Sequence, residues 1–407
     1  MAGEDAVAAA IGEAVGSGQL AGAVSLLWRD GRVVQTAAVG WRDREADLPM
    51  TRDTIFRIAS MSKPVTSVAA LSLMEAGGFA LDDPIARWAP EFHEMRVLRS
   101  PTGPLHDGDP AERPITFEDL LTHRSGITYG DFWQGPIAAA YADLLGGSID
   151  SRVEPDDWIP RLAGLPLIDQ PGRGFHYGAS TDLLGLLIAR IEGAPLGEVL
   201  QKRVFGPLGM RDTGFAVPPE ARERRAAAYG FDAGGRLARL KRGVGDAFQE
   251  ERPDWMSFVS GGQGLWSTVD DYLAFARLFL GEGAVDGVRV LQPETMRLMT
   301  TNRLTEAQRA AAALLNQPVF ASGNGFGLGV AVVLDPATAL VMRGKGGLGT
   351  VGWPGAFGGW WQADPTDGSV AIFLMHNMVG LEQIAKGLGM AGYMALLEFQ
   401  ALATARG

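Results

Sequence analysis

Cysteine is absent from all 407 residues, which removes disulfide frameworks, thiol catalysis and thiolate metal sites together. Histidine is scarce. The five are scattered at His93, His106, His123, His176 and His376 with no His-Glu-x-x-His pairing, so no metal is expected. No apolar run reaches membrane-spanning length. No Lys/Arg-rich stretch offsets the net charge of −11, which speaks against nucleic acid and anionic membrane as partners. The opening Met1-Ala2-Gly3-Glu4-Asp5 is acidic and lacks the basic and apolar regions of a signal peptide, so a cytoplasmic location is expected. A Gly-x-Ser-x-Gly elbow is missing, which argues against the α/β-hydrolase fold. Residues 344–349 match G-x-G-x-x-G, but no helix is expected after them, and dinucleotide binding fails its context test. No cofactor is expected.

What remains has the composition of a soluble enzyme, 46% hydrophobic and 20% charged, with a length prior of roughly two to three domains. Residues 4–16 read as helix. Ala23–Trp28 and Val33–Val39 read as strands of a hairpin turning at Asp30-Gly31. From Leu81 to about Gly283, Pro- and Gly-rich loops separate helical stretches such as Phe117–Thr122, Thr181–Glu192 and Val269–Leu280. Strands return at Phe326–Leu334, around Trp353 to Gln362, and at Ser369–Met375, before an amphipathic helix from about Leu381 to Leu402. This layout predicts an α/β (α+β) fold. Residues 1–80 and 285–407 would build an antiparallel sheet flanked by helices, and 81–284 a mostly helical domain, with the site in the cleft between them.

One stretch concentrates the chemistry. Ser60-Met61-Ser62-Lys63-Pro64 opens a segment without charge as far as Met74, the mark of a helix buried on most of its circumference. Proline is tolerated only in a helix's first turn, so the helix starts between about Ser60 and Ser62. Lys63 then falls three residues from Ser60, on the same face. A serine hydroxyl needs a base within hydrogen-bond reach. Apolar surroundings disfavour the charged form of a lysine and equip it to accept a proton. Free backbone N–H groups at the helix start suit a developing oxyanion. Ser62 is the rival nucleophile, disfavoured because neighbours at i,i+1 do not face each other.

These residues resemble the Ser-x-x-Lys motif of class C β-lactamase-like serine hydrolases, a group that includes the family VIII carboxylesterases. Further segments follow in the family's order. Leu120-Leu121-Thr122-His123-Arg124-Ser125-Gly126-Ile127 resembles its LLTHTSGL, and Phe175-His176-Tyr177-Gly178-Ala179-Ser180 its tyrosine motif. Pro207-Leu208-Gly209-Met210-Arg211-Asp212-Thr213 and Gly261-Gly262-Gln263-Gly264-Leu265-Trp266-Ser267-Thr268 resemble two more. The resemblance implies a β-lactamase/penicillin-binding-protein-like fold, Ser60 as nucleophile, Lys63 as its activating neighbour and Tyr177 as second base. A phenol, with a pKa ordinarily about 10, needs a cationic neighbour for that task, and Lys63 would supply the charge. Which of the two takes the serine proton first is left open.

Trp353-Pro354-Gly355 resembles the Trp-Gly-Gly of the esterases, where β-lactamases carry Lys-Thr-Gly; Lys345-Gly346-Gly347 is a weaker competitor. The resemblance makes the Ala356 amide the second oxyanion donor beside that of Ser60. It makes Tyr129 a cleft residue bonded to Ser60 or substrate. Pro354 departs from the usual glycine, and Ala179 from the asparagine of β-lactamases. His176 should point away from the site, and His123 should fix its own turn. The function implied is a serine carboxylesterase acting on small to medium acyl esters through a Ser60 acyl-enzyme. The alternatives are a β-lactamase or D-amino-acid peptidase/amidase, an acyltransferase, or a catalytically dead binding homologue, the last opposed by intact Ser60, Lys63 and Tyr177.

Overall fold

The computed structural model describes residues 2–243, 247–248, 252–253, 255–314, 317–320, 323–339 and 346–405. Asp30 and Gly31 both have positive φ, 53° and 76°, as a two-residue type I′ turn requires. Strand β1 (Gly22–Arg29) accordingly pairs with β2 (Arg32–Asp43) from Arg29 opposite Arg32. A short β3 (Leu48–Pro49) follows. The far end of the chain adds β4 (Asn324–Phe326), β5 (Ala331–Val333), β6 (Val351–Pro354), β7 (Trp360–Asp364) and β8 (Ser369–Met375). The eight strands lie in the order β4-β5-β6-β7-β8-β1-β2-β3, every neighbouring pair antiparallel. The seam between β1 and β8 joins strands from the two ends of the chain into one sheet.

Strand β8 is apolar on both faces because both are covered. Val370, Ile372 and Leu374 belong to the large core beneath the site, while Ala371, Phe373 and Met375 enter a second core on the opposite face. That second core is closed by α1 (Ala2–Gly16) through Val7, Ile11 and Ala14, and by the C-terminal helix through Ala395, Leu396 and Phe399. Each fully buried Leu, Ile or Phe contributes about 1.5–3 kcal/mol through burial. The first core receives α2 (Ser62–Glu75), α3 (Ser180–Glu192) and α4 (Val269–Ala276). Although α4 falls within the stretch 81–284, it packs against β1, β7 and β8.

Three expectations change in detail. Phe326–Leu334 is not one strand: the Gly327 amide donates to the Val330 carbonyl (2.8 Å), and the chain turns back between β4 and β5. The C-terminal helix is two, Leu381–Ala385 and α5 (Met390–Thr404), broken where Gly387 and Gly389 take φ of 80° and 72°. Residues around Trp353 to Gln362 form a hairpin, β6–β7, rather than one segment. Lys345 lies outside the described residues. Among the described residues, no helix is long and apolar enough to cross a membrane.

Candidate active site

Ser60 occupies a single 3₁₀ turn, Ala59–Met61, that leads directly into α2, so Pro64 falls in the first turn of the α-helix. Ala59 has φ of 46°, a left-handed conformation costing a residue with a Cβ about 1–2 kcal/mol. Its side chain is held there against Ile149 and Phe357. The segment from Gly261 to Thr268 straps this turn from outside. The Ile58 amide donates to the Leu265 carbonyl (2.9 Å), Thr66 Oγ1 to the Gly261 carbonyl (2.6 Å), and Tyr272 Oη to the Met61 carbonyl (2.8 Å). Ser62, fully buried, accepts the Leu265 amide through Oγ (3.1 Å). That contact ties Ser62 to the strap.

Lys63 is 1% exposed. Its Nζ donates to Tyr129 Oη (3.3 Å) and to the Gly262 carbonyl (3.1 Å), and lies 4.5 Å from the centroid of the Tyr177 ring. A buried ammonium is costly unless it is hydrogen-bonded or paired, and here two neutral oxygens and an aromatic face supply the solvation. Tyr177 Oη accepts a hydrogen bond from Trp353 Nε1 (3.1 Å). Phe132 stacks on the Tyr177 ring at 6.0 Å and Tyr129 meets it edge-on at 6.0 Å. Gly178 makes that convergence possible, because a Cβ there would lie 2.3 Å from the Thr128 backbone.

The β6–β7 hairpin approaches Ser60 as backbone. A Cβ on Gly355 would meet the Ile58 carbonyl at 2.6 Å, so glycine is required for this contact. Phe357 packs on Ala59. Ala356, between them, is exposed. The Gly355 amide donates to the Gly359 carbonyl (2.7 Å) and the Gly358 amide to that of Gly355 (3.0 Å), closing the turn that carries Ala356.

Behind Tyr129 lies a group that sequence reasoning missed. Tyr129 Oη donates to Asp182 Oδ2 (2.7 Å); Asp182 Oδ1 accepts from the Gly262 amide (3.1 Å) and from Ser260 Oγ. Burial pushes the Asp182 carboxyl above its ordinary range, against the pull of the Lys63 charge and of these donors. Burial, with the adjacent Asp182 carboxylate and Tyr177, holds the Tyr129 phenol well above its usual value. The hydrogen bonds of Tyr129 Oη thus run to Lys63 and Asp182, while its ring also lines a cavity. The signal in the sequence is that Asp182 is the only Asp, Glu, Lys or Arg between Arg173 and Arg190.

His123 also differs from expectation. Its ring packs on Tyr177 (4.8 Å), Phe175 and Phe326 instead of fixing its own turn, and its ring nitrogens have no hydrogen-bond partner among the described residues. Burial, then the nearby Lys63 charge, holds it well below the usual histidine value. His176 pairs with Asp169 (2.9 Å) at a half-buried position. A cavity of about 380 Å³ opens beside Tyr129 and Ala179, walled by Tyr141, Leu145 and Trp158 with Asp131, Ser148 and Arg152 among its polar lining. A second, of about 510 Å³, is lined by Phe132, Trp133, Phe175 and Tyr177.

A serine at the head of a buried helix, a lysine one turn on and a tyrosine over that lysine define a serine hydrolase of the β-lactamase and penicillin-binding-protein fold. Over residues 7–388 the chain matches the Beta-lactamase family model, and it belongs to that family. It is 47% identical over 369 residues to an uncharacterised protein of Mycobacterium tuberculosis, covering 91% of this chain and 89% of that one. To esterase EstB of Burkholderia gladioli it is 34% identical over 376 residues, 88% of this chain and 86% of that one. Among solved structures it is similar to EstCE1, described as a hydrolase with promiscuous acyltransferase activity, with a TM-score of 0.79, 29% identity and 98% of each chain covered.

Proposed function

We propose that the protein is a carboxylesterase hydrolysing small to medium acyl esters through an acyl-enzyme on Ser60. The observation that carries this reading is Lys63, buried one helical turn from Ser60, with both hydrogen bonds spent on uncharged oxygens. In the proposed mechanism Ser60 Oγ attacks the ester carbonyl carbon while its proton passes to the Lys63/Tyr177 pair. The oxyanion is held by the amides of Ser60 and Ala356, a contribution worth about 10²–10³ in rate per donor where measured. Collapse breaks the bond to the alcohol oxygen, which leaves with a proton delivered through Tyr177. Water then adds to the acyl-enzyme with the same groups as base, and Ser60 regains its proton.

Ester preference is supported by Trp353, whose indole N–H occupies Tyr177 Oη, and by Ala179, which opens onto the 380 Å³ cavity and offers no amide to a β-lactam side chain. That volume falls within the about 300–1,000 Å³ usual for small-molecule sites and suits the acyl group. Likeness to EstB, an esterase, points the same way. Acyl transfer to an alcohol is the second reading, favoured by likeness to a monacolin J acid methylbutanoyltransferase of Aspergillus terreus, 32% identical over 384 residues and covering 88% of this chain and 86% of that one. It differs only in which hydroxyl meets the acyl-enzyme.

Nitrophenyl esters of increasing acyl length, beside a chromogenic cephalosporin, test the reading on wild type and Ser60→Ala. Ester turnover should fall at least about a thousand-fold in the variant. Turnover that survives, or cephalosporin cleaved faster than any ester, contradicts the reading. Product partition with added alcohols separates hydrolysis from transfer.

A further inference from the structure

The hydrogen-bond chain behind Lys63 ends on a carboxylate that the proposed mechanism leaves unused. Asp182 lies in the first turn of α3, 1% exposed, and collects hydrogens from Tyr129 Oη, the Gly262 amide and Ser260 Oγ. An ionised carboxylate only accepts, so the Tyr129 hydrogen points at Asp182 and the phenol oxygen turns its lone pairs outward. Lys63 Nζ gives one hydrogen to that oxygen and a second to the Gly262 carbonyl. One direction around Nζ is left. It carries an N–H in the ammonium and the lone pair in the amine. The lysine can therefore change protonation state along that direction while keeping both anchoring bonds.

We propose that Asp182 is a positioning residue for proton transfer between Lys63 and Ser60, holding the Tyr129 hydroxyl as an acceptor so that Nζ exchanges its proton in the one direction left to it. The proposal rests on the reading of Ser60 as nucleophile. Gly262 ties both ends, its amide on Asp182 and its carbonyl on Lys63. A Cβ at Gly262 would lie 2.9 Å from Asp182 Oδ2 and 3.1 Å from Tyr129 Oη, so only glycine brings the three together. The titratable groups facing the pair are Tyr129, Tyr177 and His123. Burial keeps the Tyr129 phenol and the His123 imidazole uncharged near neutrality, which leaves Asp182 as the carboxylate that offsets the Lys63 charge.

Asp182→Asn tests this. An amide presents one oxygen and two N–H groups, so the Tyr129 hydroxyl must accept from it and its hydrogen swings toward Lys63. On a nitrophenyl ester, kcat/KM should fall about 10–100-fold, the equivalent of one charge-assisted hydrogen bond. The loss should sit in kcat with KM nearly unchanged. The acid limb of the pH–rate profile should move to lower pH, because the ammonium loses its buried counter-charge. Tyr129→Phe cuts the same link while Asp182 keeps Ser260 and Gly262, so it should shift the limb in the same direction. The double variant should be no slower than the slower single one.

Wild-type kcat with an unmoved acid limb in Asp182→Asn overturns the proposal, as do fully additive losses in the double variant. Should Asp182→Asn fail to fold, an unmoved limb in Tyr129→Phe overturns it equally. Ester turnover surviving in Ser60→Ala sinks the nucleophile reading instead. If Ser60→Ala is dead while the Asp182 and Tyr129 variants behave as wild type, only this inference falls.

Discussion

Two groups of residues flank the turn and helix start that carry Ser60 and Lys63, and they are built from different materials. The β6–β7 hairpin arrives as bare backbone: Gly355 presses on the Ile58 carbonyl and Phe357 wedges against Ala59. The Tyr129, Tyr177, Asp182 and Lys63 group is all side chain, joined by hydrogen bonds and ring contacts. In the proposed mechanism the contrast matches two chemical needs. Oxyanion stabilisation wants fixed dipoles that do not titrate, and backbone amides never change charge. Proton transfer wants groups that do titrate, held by partners that tolerate both forms. Trp353 is the bridge, since it stands on the hairpin strand and donates to Tyr177.

Breaking one side without the other should separate these tasks. Ala356→Pro removes one N–H from an exposed turn position and leaves every proton-transfer group in place. It should lower kcat by about 10²–10³-fold, with the pH–rate profile unchanged in shape; a shifted profile would merge the two roles. Trp353→Phe keeps the ring but takes the indole hydrogen from Tyr177. One hydrogen bond of about 1–1.5 kcal/mol corresponds to about a 5–12-fold loss in kcat/KM, and a loss as large as that of Ala356→Pro would make Trp353 part of the oxyanion side.

The remaining effect is on stability, and each group has a histidine behind it. His123 supports Tyr177, and His376 meets Phe357 edge-on at 4.7 Å. Burial holds His123 well below 6.5 and His376 at about 3. Both folded values lie below the unfolded one, so the unfolded chain binds more protons once pH falls below 6.5. Each histidine should then cost about 1.4 kcal/mol of stability per pH unit until its folded value is reached. Asp182, raised in the folded state, contributes with the opposite sign at lower pH. Urea unfolding at several pH values between neutrality and pH 5 measures the slope. A flat profile there would mean that neither imidazole is buried uncharged.

The difference between the two groups also explains what could be read in advance. Ser60, Lys63 and Pro64 lie within one turn, where local rules of helix initiation apply, and the helix start was legible to within two residues. The Asp30-Gly31 turn and the apolar run of β8 were equally local signals. Asp182 escaped notice because an acidic residue in a helix's first turn is ordinary; only its isolation in an apolar stretch hinted at burial. Tyr129 was legible as a cleft residue, but its bonds to Asp182 and Lys63 were not, since sequence spacing does not relate these positions. Glycine misled twice. Gly327 and Gly329 fold an apparent strand into β4 and β5, and Gly387 and Gly389 divide the last helix.

The central claim is a covalent acyl intermediate on Ser60, and trapping it is the most direct test. Protein mixed with excess nitrophenyl ester, acid-quenched within milliseconds and digested, should show one added acyl group on Ser60, absent from Ser60→Ala. Acyl mass on Ser62 or on any other side chain, or steady turnover with no acylated protein at any quench time, would contradict the account.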